Sequence, residues 1–138
     1  MTKSSETIVR RARALVGTRF RPQGRDPVMG LDCVGLIVSA FTLPGDGIRR
    51  DYRLRGPHGG ELEAELRRHF RRISAGAMRG GDVMLCAVAA DQMHLAIESG
   101  GSFVHADARL RKIVETPGNP GWPIVAVFRR RTPKRRSG

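Results

Sequence analysis

The order of local signals predicts an α+β fold, with helices first and a run of antiparallel strands after them. Two observations carry this. Apolar residues at helical spacing fill the first half of the chain, at Ile8, Val9, Ala12, Leu15 and Val16, and again at Leu62, Leu66, Phe70 and Ile73. Beyond Gly81 the pattern changes to short β-rich stretches separated by turn residues. A chain of 138 residues, 40% of them hydrophobic, can bury a core without disulfides or a metal, and one domain is expected.

Ser5 to Val16 reads as a helix that Gly17 stops, with Arg10, Arg11 and Arg13 mainly on its other faces. Thr18 to Gly30 holds Pro22, Gly24, Pro27 and Gly30 and reads as an irregular loop. Such a long structured loop in a small domain is often functional. Leu31 to Leu43 is a nearly continuous apolar run, too long for one strand, and reads as a buried helix. Asp32 is its expected cap, and Pro44-Gly45 ends it. Asp46 to Gly60 is polar and turn-rich, Glu61 to Ile73 reads as an amphipathic helix, and Ala75 to Gly81 as a connector. Val83 to Val88, Gln92 to Glu98 and Ser102 to Asp107 read as strands, the last pair joined by a hairpin at Gly100-Gly101. Arg111 to Glu115 is a weaker strand and Ile124 to Phe128 a stronger one. The expected organisation is one domain over 1–128 and a basic, disordered tail over 129–138.

The net charge of +12, from 25 basic and 13 acidic residues, favours polyanionic neighbours without choosing among nucleic acid, anionic lipid and cell wall. Cys33 and Cys86 lie far apart, unlike a disulfide framework, and read as free thiols. No signal peptide or membrane-spanning run is visible, so synthesis in the cytoplasm without a standard export signal is expected.

Cys33 stands at the first turn of the predicted buried helix. Unpaired N–H groups there carry partial positive charge, which is expected to lower the thiol pKa and to bind a developing oxyanion. Gly35 leaves room for close approach of another chain segment. Cys86 lies inside an apolar strand and reads as a packing residue.

The histidines are His58, His69, His94 and His105; the first lies in a Gly/Pro-rich loop and the second in the basic amphipathic helix, so both read as surface residues. His94 and His105 flank the Gly100-Gly101 turn. A two-residue loop there sets Ala96 opposite His105 and His94 opposite Asp107, all on one sheet face. Either His105 or Asp107 can then hold one nitrogen of His94, the orienting role in nucleophile–base triads. A three-residue loop would put the two histidines on opposite faces. Zinc is the rival use of one Cys and two His, but the CxxC and HxxxH pairs of common structural sites are absent.

Three segments together resemble the NlpC/p60-type cell-wall cysteine peptidases: Leu31-Asp32-Cys33-Val34-Gly35-Leu36-Ile37, Gly81-Asp82-Val83, and His94-Leu95-Ala96-Ile97 through Phe103-Val104-His105-Ala106. The resemblance runs from about Ile8 to about Phe128. It implies a papain-like core with the nucleophile helix packed on an antiparallel sheet. It assigns Cys33 as nucleophile, His94 as base and then acid, and His105 rather than Asp107 as the orienting group. It implies hydrolysis of amide bonds in peptidoglycan stem peptides through a thioester, with no metal or cofactor. The short length and the Phe20–Asp26 loop look most like members carried in phage tails, prophages and gene transfer agents, which implies tail proteins as partners and delivery to the wall in a virion. Val34 stands where the family usually has Ser, and Arg19-Phe20 where many members have Pro-Tyr. By analogy with papain-like enzymes, Gln23 is the expected oxyanion donor beside the backbone N–H of Cys33.

Rival functions are a non-catalytic tail or wall-binding protein of the same fold, a related acyltransferase, and a nucleic-acid binder. The last would use Arg129-Arg130-Arg131 and Lys134-Arg135-Arg136, but no known DNA-binding motif accompanies them.

Overall fold

The computed structural model describes residues 3–44, 59–89 and 92–131. In chain order the elements are helix α1 (Lys3–Ala14), strands β1 (Arg25–Asp26) and β2 (Gly30–Leu31), helices α2 (Cys33–Ala40) and α3 (Gly59–Arg67), then β3 (Phe70–Ile73). A single 3-10 turn (Ala75–Ala77) leads to β4 (Val83–Ala89), β5 (Gln92–Glu98), β6 (Ser102–Asp107), β7 (Lys112–Pro117) and β8 (Ile124–Arg130). One sheet of six strands, ordered β3-β8-β4-β5-β6-β7, is antiparallel throughout. The fold is α+β, with a buried helix against an antiparallel sheet.

Helix α2 positions everything that follows. Val34, Leu36, Ile37, Val38 and Ala40 are all buried, so this helix is apolar on nearly every face and belongs inside the core. Its N-cap is Asp32, extended at φ −99°, whose carboxylate accepts the Gly35 N–H at 2.8 Å. The same carboxylate accepts the Gln23 N–H at 3.0 Å and the Arg25 guanidinium at 3.1 Å. One buried acid therefore caps the helix and fastens the preceding loop to it.

Side chains in the central strands alternate between the two faces of the sheet. Val83, Leu85, Leu95, Ile97, Val104 and Ala106 join the helices in the main core. Met84, Cys86, Ala96 and Phe103 point to the other face and form a smaller cluster with Trp122 and Ile124. The β5–β6 connection is the expected two-residue hairpin: Gly100 and Gly101 have φ of 87° and 93°, and Ala96 pairs with His105. Positive φ at both central residues is what this tight turn demands.

Several boundaries differ from expectation. The helix expected over Glu61 to Ile73 spans Gly59–Arg67, and Phe70–Ile73 is a strand. The apolar stripe fits a helix, but β8 has a free edge, and pairing Phe70 with Arg130 through Ile73 with Val127 satisfies it. The loop expected over Thr18 to Gly30 contains the β1–β2 hairpin, closed by the Met29 N–H on the Asp26 carbonyl at 3.0 Å. Strand β8 runs to Arg130, past the Phe128 boundary, and Arg129 donates to buried Asp82 at 2.9 and 2.8 Å. The strand expected at Arg111 to Glu115 is Lys112–Pro117. The turn-rich segment through position 58, with His58, and the tail from position 132 lie outside the described residues. Among the described residues, no helix is long and apolar enough to cross a membrane.

Candidate active site

Cys33 is the first residue of α2 and is 2% exposed. The backbone N–H groups of Leu95, on β5, and of Val34 act on its sulfur and favour the thiolate. Leu95 follows His94 directly, so the helix start is tied to the strand at the histidine. Cys33, Gln23, His94 and His105 line one cavity of about 630 Å³, together with Trp122 and Arg109. Every residue singled out for the site from the sequence thus meets at one place. Cys86 is also a free, buried thiol; it pairs with His94 across the β4–β5 ladder but does not line the cavity. His69 is half-buried and lies away from it.

The ladder parity sets the histidines side by side. His94 Nε2 lies 3.2 Å from His105 Nδ1, and the rings meet edge-to-face at 5.3 Å. Asp107 has a different use: its carboxylate accepts the N–H groups of Arg109 and Leu110 at 2.8 and 3.0 Å and closes the turn after β6. The β5–β6 pairing ends at Ala96 with His105, so Asp107 is not a ladder partner of His94; it pairs with Lys112 on β7. Burial acts to raise the Asp107 carboxyl, but those N–H groups, with His105 and Arg109, outweigh it and hold the carboxyl below its usual range.

Burial also dominates the Cys33 thiol and the His94 imidazole. It pushes the Cys33 thiol up to about 12, and the Asp32 carboxylate adds to this against the N–H groups of Leu95 and Val34 and the Arg25 charge. This corrects the lowered thiol pKa expected from the helix start. Helix α2 has only 8 residues, its first turn is dry, and its cap is an anion. Burial pushes His94 down to about 4, helped by His105 and opposed by Asp107. His105 is lowered too, by burial, with Asp107 opposing. Near neutral pH the cavity is therefore lined by a neutral thiol and a neutral imidazole pair.

The loop before α2 approaches very closely. A Cβ on Gly35 would lie 2.0 Å from the Gly24 carbonyl oxygen, and one on Gly24 would lie 2.2 Å from the Gly30 carbonyl oxygen. The segment for which Gly35 leaves room is the chain's own loop. Gln23, at φ 56°, is held there through its backbone N–H and reaches the cavity wall.

Sequence reasoning missed Trp122 and Arg109. Trp122 is the chain's only tryptophan, set between Gly121 and Pro123 just before β8. A lone aromatic in a turn is a weak signal without knowledge of what it covers. Arg109 was one arginine among many.

No family model matches the chain, and no curated protein matches it in sequence. Solved structures do match its fold. NlpC1 from Trichomonas vaginalis matches with a TM-score of 0.69 at 15% identity, over 94% of this chain and 46% of that one. NlpC2 from the same organism matches at 0.68 and 16% identity, over 92% of this chain and 46% of that one. The NlpC/p60 domain of peptidoglycan hydrolase SagA matches at 0.60 and 22% identity, over 82% of this chain and 88% of that one. The chain spans about half the length of the T. vaginalis proteins, 46% of each. At these identities the likeness establishes the fold, the NlpC/p60 α+β core.

Proposed function

We propose that this chain is a papain-like cysteine peptidase that hydrolyses amide bonds in peptidoglycan stem peptides. The observation that carries this is the convergence, in one cavity of an NlpC/p60 fold, of a helix-start cysteine with a histidine whose Nε2 lies 3.2 Å from a second histidine. The matched SagA domain belongs to a peptidoglycan hydrolase, which supports the substrate class.

The proposed proton path runs through the two histidines. In this path His94 keeps its proton on Nε2 and donates it to His105 Nδ1, 3.2 Å away, while His105 carries its own proton on Nε2. His94 Nδ1 then has a free lone pair and takes the Cys33 proton as the sulfur attacks the carbonyl carbon. Since both groups are neutral at rest, proton transfer and attack are coupled, which is general-base catalysis and not attack by a preformed thiolate. The oxyanion meets the Cys33 N–H at the start of α2, with Gln23 as second donor; one such donor is worth about 3 kcal/mol. Collapse breaks the C–N bond, and Nδ1–H protonates the leaving amine. Water then adds to the thioester, Nδ1 takes its proton, and the thiol is restored as the acid leaves. Arg109 gives the cavity a cation suited to the carboxylates of a stem peptide.

The same reading takes a phage-like tail as the setting, with tail proteins as partners and the wall as the place of action. The Phe20–Asp26 loop resemblance supports that part.

The test is digestion of purified peptidoglycan by wild type and Cys33→Ala, with products identified by mass. Stem fragments from wild type alone are expected, and their masses name the bond. Identical release by both proteins, or release from wild type that a thiol alkylator leaves intact, would overturn the assignment of Cys33. No release from either would favour the non-catalytic scaffold.

A further inference from the structure

We propose that Trp122 is a positioning residue for the His94–His105 pair, holding both imidazoles by its ring and keeping water off the hydrogen bond between them. This rests on His94 being the base. The indole meets His94 at 5.5 Å and 86°, and His105 at 5.4 Å and 78°. It also meets Phe103 at 6.1 Å, and Phe103 in turn lies 5.1 Å from the His105 ring. The pair is therefore boxed. Cys86 and Ala96 form the sheet face around it, Phe103 flanks His105, and Trp122 covers both rings.

The box is needed because a neutral imidazole–imidazole bond is weak in net terms. A bond of that kind contributes about 1 kcal/mol, and water competes for both nitrogens wherever it can reach them. Nothing covalent fixes the His94 ring about its χ angles, and its Nδ1 is useful only while Nε2 stays on His105. Trp122 lies outside β8, but its turn is fixed: the Ala87 N–H donates to the Pro123 carbonyl at 3.0 Å. The indole thus comes from a separate segment onto a site built by α2, β5 and β6. Titratable and charged groups around the pair are Cys86 on β4, Asp107 on β6, Arg109 after it, and Cys33 with Asp32 at the α2 start. Residues 121–123 around the indole carry no charge.

Because the chain has one tryptophan, its emission reports this contact directly. Imidazolium quenches an indole it touches, so wild-type emission is expected to fall on acidification with a midpoint well below 6.5. Imidazole nitrogen NMR gives the His94 midpoint independently of any activity. Trp122→Phe is expected to keep that midpoint close to wild type. Trp122→Ala should raise it by at least about one unit towards the ordinary histidine value, as water reaches the ring. It should also lower kcat about 10- to 100-fold with KM little changed. If Trp122→Ala does not fold by circular dichroism, Trp122→Leu is read in its place. An unchanged His94 midpoint and kcat in the folded variant, or wild-type emission that ignores His94 protonation, would overturn the proposal. If wild type cuts no peptidoglycan, the function falls, while the NMR midpoints still decide the role of Trp122.

Discussion

Burial decides the protonation of Cys33 and His94 before any substrate arrives, and two measurements follow. With His94 lowered to about 4, kcat/KM on a soluble stem peptide should stay level from about pH 8 to 5 and fall only towards pH 4. An acid limb centred near 6.5 would mean an ordinary, hydrated base. Stability should follow the same group. Its folded pKa lies below the unfolded value of 6.5, so the unfolded chain binds more protons, and the stability present above pH 6.5 is lost as pH falls towards 4. The loss approaches about 3 kcal/mol. Urea unfolding at pH 7 and pH 4.5 checks it, and His94→Gln should flatten most of the difference. The side-by-side histidines were legible in the sequence, because a Gly-Gly hairpin fixes parity and parity fixes faces. The sign of the thiol shift was not. A helix start argues for a low pKa, whereas the burial and anionic cap that win are properties of the packed structure.

At the element scale, the start of α2 and the loop before it behave as one unit. Gly35→Ala drives a methyl into the Gly24 carbonyl, which is backbone and cannot rotate away. We expect a loss of about 1–3 kcal/mol or more, read as a drop in Tm, and a fall in kcat because the displaced loop carries Gln23. Asp32→Ala removes the helix cap and leaves Arg25, whose side chain is 8% exposed, without its carboxylate. About 3–5 kcal/mol is expected from breaking a buried pair in this way, and Arg25→Met in the same chain should recover part of it. Recovery of nothing would show that the cap alone sets the cost. The cap was readable from Asp32 before an apolar run, a purely local signal. The Gly24–Gly35 contact was readable only as room to spare, since the sequence does not say which segment fills it. The end of α3 was misread for a similar reason. Leu62, Leu66, Phe70 and Ile73 keep helical spacing, but the pairing that makes β3 comes from β8, some fifty residues later. Local periodicity cannot see a partner at that distance.

At the scale of the whole molecule, the last strand sits inside the sheet, between β3 and β4, so the fold closes only when β8 is in place. Arginine 129, which composition alone assigns to a solvated tail, locks that strand to buried Asp82. The rest of the basic excess faces outward to a large extent, as with exposed Arg10, Arg11, Arg67, Arg68 and Arg71. A net charge of +12 should therefore act on encounter with an anionic polymer, not on the chemistry inside the cavity. Digestion of intact, negatively charged wall should weaken steeply as salt rises from about 0.05 to 0.5 M, through KM, because the Debye length shrinks from roughly 14 to 4 Å. Hydrolysis of a small soluble stem peptide should change far less over the same range, since the proposed function puts its recognition within the cavity. Parallel assays on sacculi and on the peptide make the comparison. Equal salt dependence for both substrates would place the electrostatics at the cavity mouth, on Arg109, and Arg109→Gln should then remove it from both.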